Sequence, residues 1–129
     1  MGEILSIALI GAGRTGTPLL QDLLKYDYIK ILGVADVDTK SPGMQLAEEH
    51  KIACFTDPMA LVKTVGQVDI LVEVSGDLKL KEQIKNLYEQ TGNRKTLIMH
   101  DLIARLLISL CSRSPQLTTS FHPEDQGIG

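Results

Sequence analysis

The chain alternates between short apolar runs and longer stretches in which apolar residues recur every three or four positions. ILSIALI (Ile4 to Ile10) is almost continuously apolar, the pattern of a strand covered on both faces. Behind it Leu19, Leu20, Leu23 and Leu24 form one stripe, which predicts a helix from about Arg14 to Lys25. Pro18 is tolerable there because it lies close to the helix start. KILGVAD (Lys30 to Asp36) reads as a second strand, and SPGMQLAEEHK as a helix with Ser41 as cap and Pro42 in its first position. IACF (Ile52 to Phe55) is a short third strand. Asp57 and Pro58 repeat the cap-then-proline signature for a short helix through Val62.

DILVEV (Asp69 to Val74) is a fourth strand, and Asp77 opens a polar helix to about Gln90. TLIMH (Thr96 to His100) is a fifth strand, followed by a helix from Asp101 to Arg113 with Asp101 as its cap. LTTSF (Leu117 to Phe121) is a candidate sixth strand. Residues 1–121 therefore form one domain, and 122–129 a tail or linker. Strands and helices alternating at this spacing imply βαβ units with right-handed crossovers. The expected architecture is α/β, a doubly wound parallel sheet of order 3-2-1-4-5 with a possible sixth strand at the edge.

In that frame GAGRTG (Gly11 to Gly16) falls on the first strand-to-helix turn, where G-x-G-x-x-G has a physical role. Gly11 permits the tight turn, Gly13 lets a pyrophosphate approach the backbone, and Gly16 lets helix and strand pack closely. Arg14 and Thr15 should offer backbone amides at the positive end of the helix dipole, with Arg14 adding charge. Asp36 closes the second strand about twenty residues further on, where an acidic side chain accepts the hydroxyls of an adenosine ribose. Val37 continues the same edge, and Asp38 adds a second negative charge that disfavours a 2′-phosphate. Lys40 is the one residue placed to contest this. NAD(H) is thus expected over NADP(H). Ser75 and Gly76, ending the fourth strand, should border the ribose nearer the nicotinamide, because open sheets bind ligands at the carboxyl ends of their strands.

Composition narrows the picture. Thirteen basic and sixteen acidic residues give a net charge of -3 with no basic block, and tryptophan is absent. Both observations argue against a nucleic-acid partner. No apolar run approaches the ~20 residues of a membrane span, and Glu3 stands where a signal peptide carries a positive residue. A cytoplasmic protein is expected, with Cys54 and Cys111 as reduced thiols. His50, His100 and His122 are scattered, so no metal site is expected. His100 and Asp101 share the rim of the cleft. Neighbours in sequence do not orient one another as a dyad, so neither is assigned a catalytic role.

The stretches ILSIALIGAGRTG, VADVDTKSPGMQLAEEHKIACFTD and VDILVEVSG resemble the N-terminal domain of several dehydrogenases. These are the glucose-fructose oxidoreductase and inositol dehydrogenase superfamily, and the homoserine and aspartate dehydrogenases. The resemblance implies a Rossmann-like NAD(P)-binding domain using Gly11, Gly13, Arg14, Thr15, Gly16 and Asp36, with Ser75 and Gly76 along the cleft. It covers about three-quarters of the chain. Those enzymes continue into a second domain that supplies substrate pocket and catalytic residue. The sugar dehydrogenases carry an E-K-P segment after the fifth strand, where this chain has TLIMHDLIARLLISL. No catalytic residue is therefore assigned, and stand-alone catalysis is not expected.

VSGDLKLKEQIKNL followed by LIARLLISL is similar to Rossmann domains placed ahead of output modules in bacterial signalling proteins, which implies a nucleotide- or redox-sensing alternative. A cleft adapted to an adenine nucleotide or coenzyme A is a third. The helix Asp101 to Arg113 carries apolar residues on more than one face, so it is expected to meet a second copy or a missing domain.

Overall fold

The computed structural model describes residues 2–122 and shows five strands and five helices in strict alternation. These are β1 (Leu5–Ile10), α1 (Gly16–Leu23), β2 (Ile29–Ala35), α2 (Pro42–Glu49) and β3 (Cys54–Phe55), then α3 (Pro58–Val65), β4 (Ile70–Glu73), α4 (Leu78–Thr91), β5 (Leu97–Met99) and α5 (Asp101–Cys111). All strand pairs are parallel and the order is β3-β2-β1-β4-β5, as the alternation predicts.

The near-continuous apolar run of β1 has its expected cause. Ile7 and Leu9 pack into a core beneath α1, α2 and α5, while Ala8 and Ile10 pack into a second core beneath α3 and α4. A strand buried on both faces has no solvent side on which polar residues would be favoured. Because all the strands run parallel, the loops after β1, β2 and β4 lie at one edge of the sheet.

Several local expectations need correction. Residues 117–121 form no strand; among the described residues the sheet has five. The chain there is instead tied to α5, where Thr118 N–H donates to Ser109 Oγ (2.9 Å) and Arg105 Nη1 donates to the Thr118 carbonyl (3.1 Å). Those bonds satisfy backbone groups that a sheet edge would otherwise claim. Asp101 does not cap α5: His100 holds the cap position, and Asp101, inside the first turn, pairs with Arg105 Nε at 2.7 Å. That i,i+4 arrangement satisfies the acid while leaving it near the helix N-terminus, where its charge is favoured. Ser41 does precede α2 with Pro42 behind it, but its hydroxyl makes no cap bond. Asp57 and Asp77 do cap, accepting from Met59 N–H and from the Lys79 and Leu80 N–H groups respectively. The tail assigned to 122–129 lies outside the described residues except for His122.

A reciprocal clamp fastens β1 to β4 at the end of the sheet opposite the glycine loop. Ser6 N–H and Ser6 Oγ both donate to Asp69 Oδ2 at 2.9 Å, and Asp69 N–H donates back to Ser6 Oγ at 2.9 Å. The donors from Ser6, backbone first and hydroxyl second, hold the Asp69 carboxyl below the usual carboxylate range, and Lys95 adds to the effect. A carboxyl depressed by folding stabilises the fold above its unfolded pKa, and that stabilisation is lost as pH falls through the folded value. Ser6→Ala should therefore lower the melting midpoint at neutral pH. The gap to the parent should narrow below about pH 4, where the carboxyl protonates. A gap that is constant down to pH 2.5 by thermal scans would remove the carboxylate from the account.

Candidate dinucleotide cleft

The loop between β1 and α1 is shaped by its glycines. Gly11 has φ +97°, a conformation that L side chains rarely adopt, and a Cβ there would lie 2.9 Å from Ser75 N. A Cβ on Gly16 would be driven into the Gly11 carbonyl, 2.8 Å from its carbon and closer still to its oxygen. Gly13 differs: its φ is not left-handed, and beyond its chain neighbours a Cβ would meet no atom of the described residues within 4 Å. The protein's own packing requires the first and third glycines but not the second.

The loop is anchored from outside. Gly11 N–H donates to the Ala35 carbonyl (2.9 Å), and Thr17 Oγ1 donates to the Ala12 carbonyl (2.7 Å). Gly43 N–H, at the start of α2, donates to that same carbonyl (3.0 Å). Asp36 completes the anchor. Its Oδ2 accepts from Ala12 N–H (2.9 Å) and its Oδ1 from Asp38 N–H (3.0 Å). Each carboxylate oxygen retains a further lone pair for a ligand hydroxyl. By contrast, the amides of Gly13, Arg14, Thr15 and Gly16 donate to no acceptor among the described residues. They sit at the start of α1, where the helix dipole favours an anion.

These residues border a cleft of about 530 Å³. Gly11, Gly13, Arg14, Thr15 and Gly16 line it, with Asp36 and Val37 from the end of β2 and Ser75 from the end of β4. Asp38 and Gly76, expected in the same group, do not line it. Asp38 Oδ1 accepts from Lys40 N–H (2.9 Å), which commits that side chain to its own turn. Gly76 is covered by His122: a Cβ on Gly76 would lie 2.5 Å from the His122 Cγ. Pro58, Leu80, Phe121 and His122 also line the cleft and were not expected there. Pro58 has a legible reason, since it opens the helix after β3 at the same sheet edge. Phe121 and His122 arrive through the path of the chain after α5, which no local pattern announces.

Glu73 is a further residue that pattern-reading passes over. It is 0% exposed at the end of β4, and its Oε1 accepts from Ser75 N–H (2.9 Å) and from the Ser75 hydroxyl. The carboxylate thus holds the Val-Ser-Gly corner, and the Ser75 hydroxyl in turn accepts from Asp77 N–H (3.2 Å). His100 Nδ1 lies 3.9 Å from Glu73 Oε2, with both side chains buried. His100 therefore neighbours an acid from another strand, and its place is behind the cleft wall rather than on the rim. The signal for Glu73 was a lone acid in an otherwise apolar strand, which burial tolerates only when the charge is satisfied.

Similar folds occur in solved structures. No family model matches the chain, and no curated protein does. A dehydrogenase from Chromobacterium violaceum matches with a TM-score of 0.56 at 17% identity, over 87% of this chain and 33% of that one. A myo-inositol dehydrogenase from Corynebacterium glutamicum ATCC 13032 matches at 0.55 and 19%, over 83% and 32%. GenD2 from gentamicin A biosynthesis, in complex with NAD, matches at 0.57 and 18%, over 88% and 32%. This is a Rossmann-type fold. The Rossmann-type unit seen here spans about a third of the length of each of these structures. Among the described residues no His, Cys, Asp and Glu side chains cluster as a metal site, and no helix is long and apolar enough to cross a membrane.

Proposed function

We propose that the chain is a cytoplasmic NAD(H)-binding domain of dehydrogenase type that holds no complete catalytic site of its own. Gly13 carries this reading. It is a glycine for which no described residue sets a steric or conformational need, and its own amide and the next three donate to no acceptor among the described residues at this helix start. A pyrophosphate against that loop accounts for both features. Asp36 and Val37 then take the adenosine ribose, and Ser75 borders the other end. NAD(H) is favoured over NADP(H) because Asp36 and Asp38 repel a 2′-phosphate. Gly76 and Asp38 contribute through the shape and charge of the cleft edge.

Calorimetric titration with NAD+, NADH, NADP+, ADP and coenzyme A tests the reading. NAD(H) should bind below millimolar and at least tenfold tighter than NADP+, about 1.4 kcal/mol. Failure of both dinucleotides to bind sinks the proposal. A second reading, a sensing module, is favoured by the presence of Phe121 and His122 in the cleft wall, which links occupancy to the segment after α5. Affinities for NAD+ and NADH that differ tenfold would select it.

The outer face of α5 is offered for contact with a second copy or another domain. Leu102, Ile103, Leu106 and Leu110 are exposed together, Leu110 at 64%. Sedimentation of the same samples reads this directly, a monomer at all concentrations removing the homodimer.

A further inference from the structure

The segment after α5 runs back across the site. Thr118 is held by Arg105 and Ser109, and Ser120 Oγ donates to Asp101 Oδ2 at 3.4 Å. From this tether Phe121 reaches the glycine loop, where the Arg14 guanidinium lies 4.9 Å from its ring centroid. His122, its N–H bonded to Ser120 Oγ (3.1 Å), packs against Gly76. In the order β3-β2-β1-β4-β5, Arg14 and Gly76 belong to the β1 and β4 part of the edge. Asp36, Val37 and Pro58 follow β2 and β3 at the other end.

We infer that residues 118–122 form a strap over the β4 half of the cleft, so that ligands limited to adenosine diphosphate bind in place and a full dinucleotide must displace Phe121 and His122. The inference rests on the dinucleotide reading above. The tether at 118–120 is made of direct hydrogen bonds to α5, so it persists when the last two residues move. Apart from the His122 N–H bond to Ser120 within the strap itself, Phe121 and His122 are held by a cation–ring contact and a packing contact, which are weak enough for a ligand to replace. Occupation of the second half of the site is therefore linked to the position of the strap.

The test is calorimetric titration of the full chain and of the double variant Phe121→Ala/His122→Ala with ADP and NAD+. The variant should bind NAD+ about tenfold tighter, ~1.4 kcal/mol, and ADP within about threefold of the parent. Binding of both ligands with an unchanged NAD+/ADP ratio overturns the strap and leaves the dinucleotide reading standing. Binding of neither ligand to either protein overturns both. Phe121→Trp gives an independent readout, because the chain has no tryptophan of its own. Its emission should shift on saturation with NAD+ and stay put with ADP; no shift with bound NAD+ overturns the inference.

Discussion

Gly16→Ala should cost on the order of 3–5 kcal/mol of stability, the upper range for a single substitution, whereas Gly13→Ala should leave the fold intact and remove the ligand. The contrast follows from what each Cβ meets. At position 16 it enters the backbone carbonyl of Gly11, and both sides of that contact are fixed. Gly11 is held by its N–H bond to Ala35 and its close approach to Ser75, and Gly16 opens α1. Neither end yields without opening the β1–α1 turn, so a fall in melting midpoint of about 10–20 °C is expected.

At position 13 the same methyl meets no atom of the described residues beyond its chain neighbours, and the backbone needs no left-handed conformation. Stability should stay within about 0.5 kcal/mol of the parent. The methyl stands where the pyrophosphate is proposed to approach, so NAD+ affinity should drop at least tenfold, ~1.4 kcal/mol. Thermal scans paired with titration separate the two effects. A Gly13→Ala protein that binds NAD+ like the parent would put the phosphates elsewhere.

Asp36→Ala should show a mixed effect, losing stability and ligand together. Ala12 is 0% exposed, and its N–H donates to Asp36 Oδ2; removal of the carboxylate strands a buried donor. Loss of such a charge-assisted bond costs about 1.5–3 kcal/mol. NAD+ affinity should fall about 100-fold, ~2.7 kcal/mol, because the loop loosens and the ribose loses its acceptor. Asp36→Asn tells these apart, since its one carbonyl oxygen can keep the Ala12 bond while the negative charge is gone. It should recover most of the stability and relax the preference for NAD+ over NADP+. An asparagine variant with unchanged preference would assign Asp36 to the loop anchor alone.

The sheet was legible because parallel βαβ units write themselves into local pattern. Apolar runs such as ILSIALI mark strands buried on two faces, and Asp57-Pro58 and Asp77 mark helix starts by the bonds their carboxylates make. Right-handed crossovers limit the possible orders, and the doubly wound pattern with a glycine loop after its first strand gives 3-2-1-4-5. The strand proposed at 117–121 failed for the complementary reason. LTTSF has the composition of a strand, but the polar side chains of α5 had already claimed its backbone. Asp101 was misplaced by one position because an acid in the first turn and an acid at the cap have the same sequence signature, and only the pairing with Arg105 distinguishes them.

The amino-acid sequence alone therefore determined the parallel order of the sheet, the place of GAGRTG on its first turn and the arrival of Asp36 beside that turn. Each depends on residues close in sequence or on the regular pattern of doubly wound sheets. Tertiary structure decided that packing against Ser75 demands a glycine at position 11, that Phe121 lies against Arg14, and that His122 covers Gly76. The contacts of Gly11 with Ser75, of Gly76 with His122 and of Arg14 with Phe121 join residues tens of positions apart. Such contacts are set by packing and by competition for buried hydrogen-bonding groups, which leave no periodic trace along the chain.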